Sequence, residues 1–325
     1  MTSDETLGPT AARRVLLTDH PWPGTEIESA LCAAAGIELI EAPAGASEKQ
    51  LVALAGDVEG IITCWAPVTA AVIAASPHLA VVSRLGVGVD NIDVRAAAQR
   101  GATVTRVPDY CMDEVSDHVV GLVHAWARGI ASFDRAVRAR EWNGGALALQ
   151  RVRDLTIGIW GSGIIGIRTA EKFSALGCNV VLDDRHPERA GPFPSLPLSD
   201  LLRQSDVVSL HLPLSEANRN LVDAAVLSDM RSGSLLVNTS RGGLVDVAAL
   251  AAALDLGRPG FAALDVLPEE PHVPDVLRRD DVLITPHVAF SSVQSVRELR
   301  QRATEDLIRV ITGRAPLHPY IVLPA

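Results

Sequence analysis

The chain has 325 residues, of which 48% are hydrophobic and 4% aromatic, and this length exceeds what one ordinary core accommodates, so two domains are expected. Its abundant Ala, Val and Leu suit an α/β protein with a buried parallel sheet. The formal net charge of −10 argues against binding to DNA or RNA, because a phosphate backbone requires clustered positive charge.

The beginning of the chain lacks the basic and apolar regions of a signal peptide. The apolar runs are about as long as a strand, well short of the roughly 20 residues that a membrane span needs. The four cysteines are dispersed, without CxxC spacing, at Cys32, Cys64, Cys111 and Cys178. We therefore expect a cytoplasmic protein with reduced thiols, no metal site and no membrane contact.

Short apolar runs alternate with Ala- and Leu-rich segments in the first third of the chain. Two of these segments, Glu26–Ala35 and Thr69–Ala75, are predicted to be helices. The predicted strands are Val15–Thr18, Ile37–Ile40, Gly60–Cys64, Ala80–Ser83 and Thr103–Val107. This alternation is typical of βαβ units and predicts a parallel sheet.

A longer helical pattern follows, in which apolar residues recur every three or four positions from Val115 to Val137. It predicts one continuous helix of about 25 residues from Asp113, roughly 37 Å long. A helix of that length can bridge two domains, and the alternative is a single long core helix.

A second strand–helix series runs from Leu155 to Thr285 and ends in a predicted helix at Val293–Thr312. Its predicted strands are Leu155–Trp160, Asn179–Asp183, Val207–Leu210, Ser234–Thr239, Gly260–Val266 and Val282–Thr285. The chain is therefore predicted to form two doubly wound parallel sheets.

A glycine-rich turn leads from the first of these strands into a predicted helix, Ile164–Leu176. Its glycines, Gly161, Gly163 and Gly166, form the pattern G-x-G-x-x-G. In a dinucleotide site the first permits a tight turn, the second lets the backbone approach a pyrophosphate, and the third lets the helix pack on the strand. The helix N-terminus offers N–H groups to the phosphates.

An acidic residue, Asp184, lies 18 positions beyond Gly166, at the end of the next predicted strand. A carboxylate there accepts hydrogen bonds from the adenosine ribose and repels a 2′-phosphate, which favours NAD over NADP. Asp183 is the alternative, one residue away. The neighbouring Arg185 favours NADP, since an arginine can cradle a 2′-phosphate.

Three later segments place an arginine, an acid and a histidine near strand ends, namely Arg241, Glu270 and His287. In an open α/β sheet the carboxyl ends of the strands form the ligand crevice. Arginine can bind a carboxylate and polarise an adjacent carbonyl, and histidine can protonate the carbonyl oxygen as hydride reaches carbon. The acid can orient the imidazole and stabilise its charged form.

With these segments the sequence resembles the D-isomer-specific 2-hydroxyacid dehydrogenases, most closely their C-terminal-binding-protein-like branch. The resemblance runs roughly from Val15 to Ile311. It is carried by the glycine motif and by RLGVGVDNID (84–93), VPDYCMDEVSDH (107–118), VVSLHLPL (207–214), NTSRGGLVD (238–246), LDVLPEEP (264–271) and TPHVA (285–289).

The family pattern implies a role for each matching residue. Arg241 would bind the substrate, His287 would be the acid/base, and Glu270, chosen over Glu269 by the following Pro271, would be its partner. The implied cofactor residues are Gly161, Gly163, Ile164, Ile165, Gly166, Asp184, Arg185, His211, Pro213, Thr239 and Asp265, the last on the nicotinamide carboxamide. His211 also has a purely structural reading.

The same pattern implies a discontinuous substrate-binding domain of residues 1–108 and 291–325, with a flavodoxin-like fold. Residues 109–290 would form a Rossmann domain that binds NAD, with a cleft between the two domains. Family members usually form homodimers through the NAD domain, and we expect the same here.

The implied substrate residues are Trp65, Arg84, Val87, Gly88, Arg241 and Phe290. Arg84 has an alternative structural role, and Trp65 and Phe290 could simply pack. The expected function is NADH-dependent interconversion of a small 2-oxo acid and its D-2-hydroxy acid. Glyoxylate, hydroxypyruvate and phosphoglycerate all suit this chemistry, and the scarcity of basic residues in the first-domain motifs, apart from Arg84, favours an unphosphorylated acid. The alternative is a corepressor-like, NAD-sensing binding protein with vestigial activity.

Overall fold

The computed structural model describes residues 13–145, 147–183, 188 and 191–320. The chain divides into two compact units, one formed by Met1–Tyr110 with Val293–Ala325 and the other by Cys111–Ser292. Which ligand each unit binds remains a prediction at this point.

The first unit contains a five-stranded parallel sheet in the order β2-β1-β3-β4-β5. Its strands are β1 (Arg13–Leu17), β2 (Ile37–Glu41), β3 (Gly60–Thr63), β4 (Val81–Arg84) and β5 (Thr103–Thr105). Leu16 pairs in register with Ile40 on one side and Ile61 on the other, and it is fully buried. The order is that of a flavodoxin-like sheet, as predicted.

Helices connect these strands: α1 (Glu26–Ala34), α2 (Glu48–Ala55), α3 (Ala70–Ala75) and α4 (Val94–Gln99). Two of them begin at a capping side chain, because Thr69 accepts a hydrogen bond from the Val72 amide and Asp93 accepts one from the Ala96 amide. Such caps satisfy amides that have no partner within the helix.

The predicted long helix is two helices, α5 (Met112–Ala127) and α6 (Ile130–Arg138), and both lie within the second unit. The break falls at Gly129, whose φ is +62°. A Cβ atom there would lie 2.9 Å from a Leu147 methyl. The prediction of one continuous bridging helix was wrong, because the apolar periodicity continues across a turn that only the glycine backbone marks.

The second unit contains a six-stranded parallel sheet in the order β11-β10-β9-β8-β6-β7. Its strands are β6 (Thr156–Trp160), β7 (Asn179–Asp183), β8 (Val207–Leu210), β9 (Leu235–Asn238), β10 (Phe261–Leu264) and β11 (Val282–Ile284). The direction of winding reverses between the neighbours β6 and β8, and doubly wound sheets bind ligands at such a switch point. The prediction of two doubly wound sheets is confirmed.

The helices of this unit are α7 (Ile164–Ala175), α8 (Leu198–Gln204), α9 (Ala224–Asp229) and α10 (Val247–Asp255). Asp246 caps α10 by accepting a hydrogen bond from the Ala249 amide at 3.0 Å. Phe173 of α7 is fully buried in one core cluster with Ile157 and Leu182.

The last helix, α11 (Val293–Ile311), returns to the first unit and packs on α1 and β4. Arg300 of α11 forms a buried, two-pronged ion pair with Glu28 of α1, with nitrogen–oxygen distances of 2.8 and 2.6 Å. Its guanidinium also stacks over the Trp22 ring. In the part of the chain that the structure describes, no helix is both long and apolar enough to cross a membrane.

Candidate active site

The parallel strands of the second unit bring residues from distant parts of the chain to one edge of the sheet. Gly161 follows β6, His211 follows β8, Thr239 follows β9, and Asp265 follows β10. The segment 285–289 follows β11. The sequence-predicted residues of this unit therefore share the carboxyl edge, where open α/β sheets bind their ligands.

The glycine-rich turn is built so that two of its glycines are sterically required. Gly161 has a φ of +109°, which residues with a side chain rarely adopt. A Cβ on Gly166 would collide with the carbonyl oxygen of Gly161. Gly163 differs, because a Cβ there would meet nothing within 4 Å, and it is the N-cap of α7. The turn thus presents an open cradle in front of a helix N-terminus.

This cradle fits a dinucleotide. The first-turn amides of α7 and the bare Gly163 backbone can receive a pyrophosphate. Thr239 has a buried hydroxyl with no hydrogen-bond partner among the residues described, and a ligand can satisfy it. Ile164 is half exposed at the same helix end, Ile165 is partly buried, and Pro213 is exposed.

His211 supports this turn from β8. Its carbonyl oxygen lies so close to Gly161 that a Cβ on Gly161 would collide with it. The Cβ of His211 would lie 3.3 Å from a Cβ on Gly166. Burial lowers the pKa of His211 to about 4, so the ring is neutral at physiological pH, and its Nε2 lies 2.9 Å from the Ser209 hydroxyl. These contacts favour the structural reading of His211, although its cofactor role stays a prediction.

The residues predicted to choose between NAD and NADP, Asp184 and Arg185, lie outside the described residues. The alternative acid, Asp183, is the last residue of β7 and is described. The preference for NAD therefore stays a prediction from the sequence.

Arg241 lies on a turn that its neighbours hold firmly. The buried Asn238 donates to the Arg241 carbonyl at 2.9 Å and accepts from the Ser240 amide at 3.0 Å. Gly242 lies against the backbone of residues 267–268, where any Cβ would collide. Asn238 and Gly242 are not among the residues predicted from the sequence, where their only signal is their place beside Arg241 in NTSRGG.

His287 and Glu270 form a hydrogen-bonded pair, with 2.7 Å between Nδ1 and Oε2. The Leu267 amide donates to the other Glu270 oxygen at 3.0 Å. Burial raises the pKa of Glu270, but the hydrogen bond and charge of His287, the Leu267 amide and the Arg241 charge together lower it below its ordinary value. Glu270 is therefore a carboxylate at neutral pH, and the Arg241 charge acts on it.

The pair points the imidazole in a defined direction. Because Nδ1 of His287 faces Glu270, Nε2 is the ring nitrogen that would meet a substrate. The Phe290 ring meets the His287 ring edge-on, with 6.2 Å between centroids. Phe290 thus packs beside the imidazole, which agrees with the packing role that was the alternative to substrate binding.

Asp265 is buried and accepts hydrogen bonds from the loop that carries His287. Its carboxylate accepts hydrogen bonds from the Thr285 hydroxyl at 2.6 Å and from the Val288 and Ala289 amides at 3.0 and 2.9 Å. His118 of α5 lies behind it, with Nε2 3.0 Å from the Thr285 oxygen. No role for Thr285 is predicted from the sequence.

Of the predicted residues of the first unit, Arg84 is the last residue of β4, and the others lie on the loops that follow β3 and β4. Trp65 is 41% exposed, and its amide donates to Asp19 at 2.7 Å. Arg84 is buried and donates to Asn91 at 3.1 Å and to the Leu85 carbonyl. Val87 and Gly88 are partly exposed, and Arg106 donates to the Val87 carbonyl at 3.4 Å.

Comparison with known proteins agrees with this architecture. The family model "D-isomer specific 2-hydroxyacid dehydrogenase, NAD binding domain" matches residues 120–289. A D-3-phosphoglycerate dehydrogenase of Archaeoglobus fulgidus is 34% identical over 298 residues, which are 89% of this chain and 56% of that protein. The chain thus spans about half the length of this relative.

Two further proteins match over a larger share of their own length. A glyoxylate reductase of Thermofilum pendens is 34% identical over 260 residues, 77% of each chain. The crystal structure of the TT0316 protein from Thermus thermophilus superposes with a TM-score of 0.87 at 32% identity, covering 95% of this chain and all of that one.

The matched family segment contains the glycine cradle, the Arg241 turn and the His287–Glu270 pair, all on one edge of a doubly wound sheet. The closer likeness to the C-terminal-binding-protein-like branch remains a prediction. On the combined agreement of sequence, fold and family model, the chain belongs to the D-isomer specific 2-hydroxyacid dehydrogenase family.

Proposed function

We propose that the protein is an NADH-dependent reductase that converts a small 2-oxo acid into its D-2-hydroxy acid, and catalyses the reverse oxidation. The observation that carries this proposal is the His287–Glu270 hydrogen bond, 2.7 Å long, with the Arg241 charge acting on the same carboxylate. An acid/base and a carboxylate-binding cation side by side suit a substrate that has a carbonyl next to a carboxylate.

In this mechanism Arg241 binds the substrate carboxylate and polarises the neighbouring carbonyl. His287, charged and oriented by Glu270, holds a proton on Nε2 and delivers it to the carbonyl oxygen. When bound, a reduced nicotinamide supplies the hydride to the carbonyl carbon. Glu270 stays ionised because the Leu267 amide and two nearby cationic groups favour its charged form.

The residues that would hold the cofactor are those of the open cradle and the strand ends beside it. The α7 N-terminus and Gly163 would take the pyrophosphate, and Thr239 would give its unsatisfied hydroxyl to the ligand. The preference for NAD rests on the acid predicted at the end of β7, Asp184 or its alternative Asp183, and it is tested by comparing NADH with NADPH at equal concentration.

The proposed substrate is small and carries no phosphate. Arg84, the cation in the first unit's recognisable motif, is buried and donates to Asn91 and Leu85, so its hydrogen bonds stabilise the loop. A glyoxylate reductase and a phosphoglycerate dehydrogenase are both among the relatives, each 34% identical, so the proposal of an unphosphorylated substrate rests on Arg84. The contributions of Trp65, Val87, Gly88 and Phe290 to substrate binding remain predictions.

A homodimer through the second unit is part of the proposal. Apolar side chains of α6 and the segment after it are exposed, at Ile130, Val137, Trp142, Leu147 and Leu149. Of these, Leu147 and Leu149 line a groove of about 300 Å³ together with Trp126 and Phe261. Contiguous exposed apolar surface marks interfaces. Light scattering should show twice the 34.4 kDa chain mass, and Val137→Asp should reduce it to one chain.

The decisive experiment is NADH oxidation with a panel of 2-oxo acids that includes glyoxylate, hydroxypyruvate, pyruvate and 3-phosphohydroxypyruvate. We expect turnover with an unphosphorylated acid and its loss in His287→Ala, while NADH still binds. Equal activity of His287→Ala would refute the catalytic assignment. Absence of turnover with every acid would refute the reductase function. Among the described residues, no contact favours the corepressor-like alternative.

A further inference from the structure

The loop that carries His287 takes its shape from one buried carboxylate. Asp265 is only 2% exposed, and three donors from residues 285–289 converge on it. The His287 amide in turn donates to the Asp265 carbonyl at 2.8 Å, and the φ of His287 is +52°. A histidine adopts this left-handed conformation only where its surroundings require it. Asp265 therefore holds His287 in place from two sides.

The hydrogen bonds around Thr285 have a fixed direction. An ionised carboxylate only accepts, so the single hydroxyl proton of Thr285 goes to Asp265, 2.6 Å away. The Thr285 oxygen must then accept from Nε2 of His118, which lies at 3.0 Å. His118 accordingly carries a proton on Nε2, and the chain of donors runs from His118 through Thr285 to Asp265.

This chain connects a helix to the reacting loop. His118 lies in the middle of α5, where backbone hydrogen bonds and packing on α7 keep it in place. Its Nε2 is 3.7 Å from the nearer Asp265 oxygen. A buried carboxylate is stable as an anion only when donors surround it, so each donor that orders Asp265 also orders the loop.

We propose that His118 is a positioning residue for the reaction: acting through Thr285 and Asp265, it fixes the backbone of residues 285–289 and hence the direction of the His287 imidazole. The inference rests on the proposed reductase function. It gives His118 a role in catalysis without any contact with substrate or cofactor.

The first test separates kcat from KM. In His118→Leu we expect kcat for 2-oxo acid reduction to fall by roughly 10- to 100-fold, since small misplacement of a reacting group has effects of that size. KM should change by less than about threefold, because Asn238 holds the Arg241 turn independently. His118→Gln retains an N–H donor near Nε2 and should restore kcat to within about threefold of the wild type.

The chain offers a matched control on the same helix. His124 of α5 makes its hydrogen bond to the Val120 carbonyl within the helix, at 2.8 Å, and it has no bond to the reacting loop as far as the structure describes the chain. His124→Leu should therefore retain the wild-type kcat. An equal fall of kcat in His118→Leu and His124→Leu would overturn the inference, because it would show a general effect on α5.

The second test needs no turnover. The Val288 and Ala289 amides are protected by Asp265, so their hydrogen exchange in the free protein reports the order of the loop. We expect exchange to be about tenfold faster in His118→Leu and in the isosteric Thr285→Val, and unchanged in His118→Gln and His124→Leu. Unchanged exchange in both of the first two variants would overturn the inference.

The two tests keep this inference apart from the proposed function. If the wild type turns over no 2-oxo acid, the proposed function fails and the exchange measurement still decides whether His118 orders the loop. If the wild type is active and His118→Leu matches it in kcat and in exchange, only the inference fails. Should His118→Leu not fold, Thr285→Val decides, because it removes the middle of the chain without changing α5.

Discussion

Nδ1 of His287 lies 2.7 Å from Oε2 of Glu270, although 17 residues separate them along the chain. The remaining Glu270 oxygen is occupied by the Leu267 amide, so the carboxylate cannot turn away from the imidazole. Glu270 thus both orients His287 and presents a negative charge to it. The two side chains therefore form one hydrogen-bonded unit.

Replacing Glu270 with Gln keeps a hydrogen-bonding group near His287 but removes the negative charge. We expect kcat for 2-oxo acid reduction to fall at least about 100-fold, the scale on which a positioned proton donor contributes. NADH affinity, measured by fluorescence titration, should stay within about twofold, because the two Glu270 oxygens bond to His287 and Leu267. Glu269→Gln is the control, and equal losses in both variants would contradict the assignment of Glu270.

The glycine cradle predicts opposite results for two neighbouring alanine substitutions. Gly166→Ala puts a methyl group against the Gly161 carbonyl, so we expect the free energy of unfolding to fall by about 1–3 kcal/mol. Gly163→Ala meets open space and only weakens the N-cap of α7, so it should lower the free energy of unfolding by at most about 1 kcal/mol while weakening NADH binding at least about tenfold. Normal NADH binding by a folded Gly163→Ala would show that no pyrophosphate approaches this residue.

His211 predicts a pH dependence of stability. The pKa of His211 is about 4 in the folded protein, below its ordinary value of 6.5. Between pH 4 and pH 6.5 the His211 ring therefore takes up a proton in the unfolded chain but not in the folded one. The stability that the neutral His211 contributes is fully present above about pH 6.5. As the pH falls to about 4 this contribution is lost, and the free energy of unfolding falls by at most about 3 kcal/mol. Denaturant unfolding at pH 7 and pH 4.5 should show a smaller loss in His211→Gln than in the wild type. An identical loss would mean that His211 takes up a proton equally in both states.

Replacing Asp19 should lower the stability of the first unit. Its carboxylate accepts hydrogen bonds from the Cys64 amide at 2.9 Å and the Trp65 amide at 2.7 Å. Asp19→Ala leaves those amides without their acceptor and should lower the free energy of unfolding by about 1–3 kcal/mol. Asp57→Ala, which removes only an exposed ion pair with Arg14, should lower it by less than about 1 kcal/mol. Equal effects in thermal unfolding would argue against the role of Asp19.

The sequence was sufficient to predict the fold class and the residues of the glycine turn. Strand–helix alternation and the G-x-G-x-x-G spacing are local patterns, and the physical reasons for them act over a few residues. The same local reasoning failed at Gly129, where a helical periodicity of apolar residues continues across a break. Periodicity reports which face is buried, and a left-handed glycine changes the path of the backbone without changing that pattern.

By itself the sequence determined which residue types stand near the strand ends. They are an arginine, an acid and a histidine, and they follow a glycine-rich turn in the chain. Only the tertiary structure decided how the segments carrying these residues meet, because Glu270 is 17 positions from His287 and Thr285 is 20 positions from Asp265. Thr285 carries no signal of its role until the strands are side by side, and Asn238 and Gly242 are marked in the sequence only by their place beside Arg241. His118 is 167 residues from Thr285, and a hydrogen bond over that separation depends on packing that no local pattern contains.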